Sequence, residues 1–176
     1  MVQRGHRLAV MVLILVSLGA CSKTDSGSTQ RLAFVLDRAD VLSLASEVAI
    51  NDKLNQFTRQ TRHQLKVVTV NSLDGRAIEA YSLSLARSLG IGRPGYNDGV
   101  MLLLAPHERK VRIEVGTGLE TILTNARCAE IFRRDILPRF KAGDLPSGIA
   151  AGVDAIIATA SRSSANDNHP AQRSVA

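Results

Sequence analysis

Five oxygen-bearing side chains offer the clearest chemistry in this chain: Asp37, Asp40, Asn97, Asp98 and Glu114. Each lies in or beside a segment that reads as a loop, and loops at one end of a sheet can be brought together. Carboxylate and amide oxygens suit hard cations. Calcium fits better than magnesium, because it accepts irregular loops where magnesium demands a near-ideal octahedron. Each of the five also has a plainer role. Asn97-Asp98-Gly99 is turn chemistry ahead of a strand, and Glu114 can pair with Arg112 on its own strand. Asp37 and Asp40 can supply negative charge ahead of a helix.

Most other reactive sets are missing. His63 falls at a helix end, His107 in a tight turn and His169 near the C-terminus, too scattered for a zinc site and expected to be solvent-exposed. No Gly-x-Ser-x-Gly elbow or phosphate-binding loop is present. Gly116-Thr117-Gly118 is followed by Thr121 where a dinucleotide fingerprint needs its last glycine, so no nucleotide cofactor is expected and a tight turn explains the glycines. Arg93, Arg112 and Arg127 could hold a phosphate, but surface charge is their ordinary role.

Leu65–Val70 (LKVVTV) is a short β-branched strand, and Val100–Ala105 (VMLLLA) is apolar enough to be covered on both faces. Lys110–Val115 (KVRIEV) alternates, with Val111, Ile113 and Val115 on one side. Helices are expected over 43–62 with Ser43 as N-cap, over 77–89, over 124–137 with Cys128 on its apolar stripe, and over 147–160. A glycine-rich loop fills 90–99. Interleaved helices and few strands imply an α/β sandwich around a small mixed sheet, in one domain spanning 31–161. Residues 162–176 read as a disordered tail.

This order of elements predicts geometry. The first two strands, joined through a helix, should be parallel, and the last two, joined by a four-residue turn, should form an antiparallel hairpin. Asp98 and Glu114 then converge at one sheet end, near the helix that starts at Thr124, while Asp74 lies at the other. Asp37 and Asp40 are expected to join the first group.

The start of the chain carries a different signal. Arg4 and Arg7 precede an apolar run, Leu8–Leu18, that as a helix would span about 17 Å at ~1.5 Å per residue. That is short of the ~30 Å bilayer core, so it reads as a secretory signal and not a permanent span. Leu18-Gly19-Ala20-Cys21 resembles the bacterial lipobox, which implies cleavage after residue 20 and lipid on Cys21. Ser22 in place of Asp favours the outer membrane by the same resemblance. Residues 21–30 then form a lipidated, flexible tether. The formal net charge is +6, with no run of like charge, and only 3% of residues are aromatic. Nucleic acid is therefore a poor partner. Once Cys21 is lipidated, Cys128 has no partner for an intramolecular disulfide and should be a buried, inert thiol.

Four segments, VLDRADVLS (35–43), VVTVNSLDG (67–75), GIGRPGYNDGVMLLLAPHERKVRIEVGTGLE (90–120) and ILPRFKAGDLPSGIAAGVDAI (136–156), resemble the TPM domain family in the family's own order. That family includes a thylakoid-lumen protein linked to photosystem II repair and many bacterial envelope proteins. The resemblance implies a Rossmann-like three-layer α/β/α sandwich. It also implies a bound divalent cation, with the acidic-loop role falling on Asp37, Asp98 and Glu114 and less directly on Asn97 and Asp40. Many bacterial relatives carry a C-terminal membrane helix, for which lipid on Cys21 would substitute. Two functions follow from different classes. One is a calcium- or magnesium-binding accessory factor, lipid-anchored on the periplasmic side of the envelope, that helps assemble or maintain a membrane-protein complex. The other is a metal-assisted acid phosphatase, which the plant member suggests. The lack of an obvious nucleophile favours the binder.

Overall fold

The computed structural model describes residues 33–167; the expected signal peptide, Cys21, the tether and residues 168–176 lie outside the described residues. Four strands form one sheet in the order β1 (Val35–Asp37), β2 (Gln64–Thr69), β3 (Gly99–Ala105) and β4 (Lys110–Val115). The first three are parallel and β3 pairs with β4 antiparallel, with Val100 opposite Val115 and Ala105 opposite Lys110. The expected hairpin is present at the expected residues. Every residue of β3 is buried, as its unbroken apolar run requires of a strand covered on both sides.

Alternation along the strands divides the core into two layers. Leu65, Val67, Val100, Leu102 and Leu104 face α1 (Leu44–Thr61), α3 (Asn125–Ile131) and α5 (Leu145–Asp167). Val68, Met101, Leu103 and Ala105 face α2 (Ile78–Ser88). A three-layer α/β/α sandwich results. Helix α1 begins at Ser43, whose hydroxyl accepts from Ser46 N, and buries Ile50, Leu54 and Phe57 at helical spacing.

The strand order has a topological consequence. The crossovers β1–α1–β2 and β2–α2–β3 step the same way across the sheet, yet their helices lie on opposite faces. Two such crossovers cannot share a hand, so one of them is left-handed, against the strong right-handed preference.

Several expectations need correction. Strand β1 was not expected; it is only three residues long, too short for period-two alternation to register. The helix over 124–137 is an α-helix to Ile131, a π-turn over Phe132–Ile136 and a short helix, α4, over Leu137–Lys141. Pro138 stands at the start of α4 and supplies no N–H, so the wider turn before it loses no backbone donor. Helix α5 begins at Leu145 and continues to Asp167, six residues past the boundary expected at 161. The run from Ser161 to Asp167 contains neither glycine nor proline, and Pro170 is the next breaker. Among the described residues no helix is long and apolar enough to cross a membrane.

Candidate functional site

At the end of the sheet where β2 and β3 begin, Asp98 is 3% exposed and serves as the anchor of the glycine-rich loop. Its Oδ1 accepts from Arg93 N at 2.8 Å. Its Oδ2 accepts from Arg93 Nε at 2.7 Å, pairs with Arg93 Nη2 at 2.6 Å and lies 3.5 Å from His63 Nδ1. Burial opposes charge on Asp98, but the hydrogen bonds from Arg93 and His63 outweigh it and hold the carboxyl below its ordinary range. Arg93 also stacks on the exposed ring of Tyr96 at 4.1 Å. His63 is therefore not the solvated histidine expected: its side chain is 16% exposed and lies 6.3 Å from the Phe57 ring.

Glu114 sits one strand further on, facing α2. Its Oε2 accepts from Ser82 Oγ at 2.6 Å and from Arg112 Nε at 2.7 Å. Asn97, at φ 50°, and Glu114 both line a cavity of about 720 Å³ between α2, the glycine-rich loop and β4, with Arg87, Arg93 and Glu120 also on its wall. Asp98 does not line it. Asp98 and Glu114 thus share a sheet end, as their strand positions require, but each is neutralised by its own arginine.

Asp37 and Asp40 lie elsewhere, and this overturns the expectation that all five acidic-loop residues meet. Asp37 pairs in register with Thr69, whereas Gly99 pairs with Gln64. Five residues of β2 separate those levels, about 17 Å at ~3.3 Å per residue. The reason is the parallel strand β1, which carries Asp37 to the carboxyl end of the sheet. Asp74 belongs to that same end, following β2 as expected.

The carboxyl end has its own geometry. After β1 the chain leaves for one face of the sheet, and after β2 for the other. Adjacent strands whose connections diverge leave a crevice outside their carboxyl ends, the usual ligand position in open α/β sheets. Asp37 stands in it. Its Oδ2 accepts from Leu42 N at 2.7 Å and its Oδ1 accepts from the Thr69 hydroxyl. Both donors are neutral, so no cationic side chain offsets the carboxylate and part of its lone-pair capacity is left. Asp40, at φ 52°, is exposed three residues on. Oxygen chemistry of this kind fits a hard cation. Among the described residues, however, no three His, Cys, Asp or Glu side chains are gathered to hold a metal. A cation here would complete its shell with backbone carbonyls and water.

The sequence offered a signal for some of the missed partners. Arg93 lies five residues before Asp98 in one loop, a spacing at which a loop can close on itself. Thr69 is the one hydroxyl in LKVVTV and falls at the strand's end. His63 and Ser82 meet their acids only through tertiary structure, and no local pattern marks them.

The TPM domain profile matches residues 35–159, which covers all four strands and both ends just described. This chain belongs to the TPM domain family. Among solved structures it is similar to the N-terminal domain of a P. gingivalis protein, with 30% identity over 81% of this chain and 91% of that one, at a TM-score of 0.73. An N-terminal domain from Corynebacterium glutamicum shares 18% identity at a TM-score of 0.57, over 72% of this chain and 79% of that one. A protein from the psychrophilic bacterium Bizionia argentinensis shares 16% at 0.61, over 69% and 82%. These last two show the fold alone. No curated protein matches the chain. As a TPM domain it has the α/β/α sandwich that its alternation of helices and strands implies.

Proposed function

We propose that this TPM domain is a divalent-cation module held at the bacterial envelope by lipid on Cys21, and that it takes calcium in the crevice at the carboxyl ends of β1 and β2. The supporting observation is the setting of Asp37: a carboxylate fixed by two neutral donors, at the carboxyl end of β1, with no ion pair among the described residues. Asp98 and Glu114 are each tied to an arginine, which removes the charge that a cation would use. Asp37 would be the central ligand, with Asp40 and carbonyl oxygens of the 38–42 turn completing the set. A bound cation would supply a fixed positive charge bridging that turn to β2. The role that follows is accessory: a cation-ordered surface presented to a membrane-protein complex, on the periplasmic side and at the outer membrane.

The test is calorimetric titration of the full chain in detergent with calcium and magnesium. Asp37→Asn and Asp40→Asn should each weaken calcium at least tenfold, and Asp98→Asn should leave affinity unchanged. Asparagine tolerates the positive φ at position 40, so that variant keeps the backbone. Loss of binding with Asp98→Asn and not with Asp37→Asn would move the site to the glycine-rich end and sink this reading. Phosphomonoester turnover by the calcium-loaded chain, lost with Asp37→Asn, would instead make it the metal-assisted phosphatase.

A further inference from the structure

One edge of the sheet is left open. Among the described residues, strand β4 hydrogen-bonds to β3 on one side and to no strand on the other, and it is six residues long against three for the opposite edge strand, β1. The hydrogen-bond parity of the hairpin is fixed by Gly116 N donating to Gly99 O at 2.8 Å and Gly118 N donating to Asn97 O at 3.1 Å. Alternation along an antiparallel pair then directs the backbone groups of Lys110, Arg112 and Glu114 to β3, and those of Val111, Ile113 and Val115 outward. Such edges are commonly blunted by proline, a bulge or a covering element. This one has no proline and an unbroken register. It opens instead into a groove of about 320 Å³ between Arg112–Val115 and the segment Glu120–Asn125.

The side chains on this edge are self-complementary in a single register. Arg112 and Glu114 face α2, where they meet Glu79 and Ser82, and they flank Ile113. An antiparallel copy centred on Ile113 sets each Arg112 opposite the other copy's Glu114. It also makes Ile113 opposite Ile113 and Val111 opposite Val115 the hydrogen-bonded pairs, which the outward backbone groups require. Centring on Arg112 or on Glu114 satisfies the same backbone parity but sets like charges directly opposite, which is destabilising. We propose that β4 pairs with β4 of a second copy about a two-fold axis at Ile113, joining the two sheets into one continuous sheet across a symmetric dimer. Arg112 and Glu114 from both copies then form a four-membered charge network in place of two separate pairs.

A six-residue edge buries less than the ~1,200 Å² of stable interfaces, so the dimer is weak and is sought at high micromolar protein. The first measurement is sedimentation equilibrium of the full chain in detergent, where a concentration-dependent dimer is expected and a monomer throughout overturns the proposal. The second fixes the register, in a Cys128→Ala background with a control carrying no added cysteine. Arg112→Cys in one copy and Glu114→Cys in another would face each other as a non-hydrogen-bonded pair with Cα atoms about 4.5 Å apart, within disulfide reach. The mixture should cross-link while each variant alone does not. Cross-linking by Arg112→Cys alone, or by Glu114→Cys alone, places the axis elsewhere and overturns it. A disulfide to a different polypeptide with no homodimer gives the edge to a foreign strand and overturns self-pairing. Finally, Arg112→Glu should weaken the dimer at least tenfold, and Arg112→Glu with Glu114→Arg should restore it. If the double variant stays as weak as the single one, charge pairing does not set the register and the axis at Ile113 is overturned.

Discussion

Asp98 shows how one residue can look like a ligand and act as a fastener. A carboxylate that accepts four contacts from Arg93 and His63 has little capacity left for a cation. Its task is to close the glycine-rich loop. Asp98→Asn should cost about 2 kcal/mol, since hydrogen bonds to charged groups are worth more than neutral ones, and urea unfolding measures it. The pH dependence follows from the sign of the shift. A carboxyl held below its ordinary value stabilises the fold above the unfolded pKa, and that contribution fades as pH falls through the lower, folded one. The gap between the native chain and Asp98→Asn should therefore be constant near neutrality and close below about pH 4. A gap that persisted well below that would mean the pair with Arg93 carries no linked charge. Cys128 is a second case: it is half-buried and not fully buried as expected, desolvation raises its thiol, and its Sγ lies 3.6 Å from Leu123 O.

Among the elements, legibility tracked length and period. Helices α1 and α2 and strands β2 to β4 were readable to within about two residues, because each carries several apolar residues at a single spacing. Strand β1 was not, since Val35–Asp37 is too short to show any period and is made a strand only by pairing with β2. The π-turn over Phe132–Ile136 was invisible for a related reason: its apolar positions still fall on one side, and only the hydrogen-bond spacing differs. The glycines of VGTG were legible as a tight turn, but not the closeness of what they face. A Cβ on Gly116 would meet Asn97 O at 2.2 Å, and one on Gly118 would meet Tyr96 O at 2.0 Å. The strand β4 exit and the glycine-rich loop are thus packed backbone to backbone. Gly118→Ala must push them apart and should cost a few kcal/mol, as overpacking against a rigid group does. Thermal unfolding tests it, and a variant as stable as the native chain would show that the loop can yield.

At the scale of the whole molecule, the sheet separates two chemistries by about 17 Å along its strands. The residues of both were readable in the sequence, but their partition was not, because it depends on whether the segment before α1 is a loop or a parallel strand. A parallel β1 sends Asp37 and Asp40 to the carboxyl end and leaves Asn97, Asp98 and Glu114 at the other. Sites so far apart with no shared partner should act independently. The consequence can be measured on one set of variants. A ligand that binds only the native state adds stability, about 2.7 kcal/mol at a concentration one hundred times its Kd. Calcium at that level should therefore raise the unfolding free energy of the native chain and of Asp98→Asn by the same amount, although Asp98→Asn starts lower. It should add nothing to Asp37→Asn. The double variant should show the sum of the two losses measured in calcium. An increment that shrinks with Asp98→Asn would mean that the two ends are coupled through β2, the strand whose ends reach both, and that the cation site and the glycine-rich loop form one device.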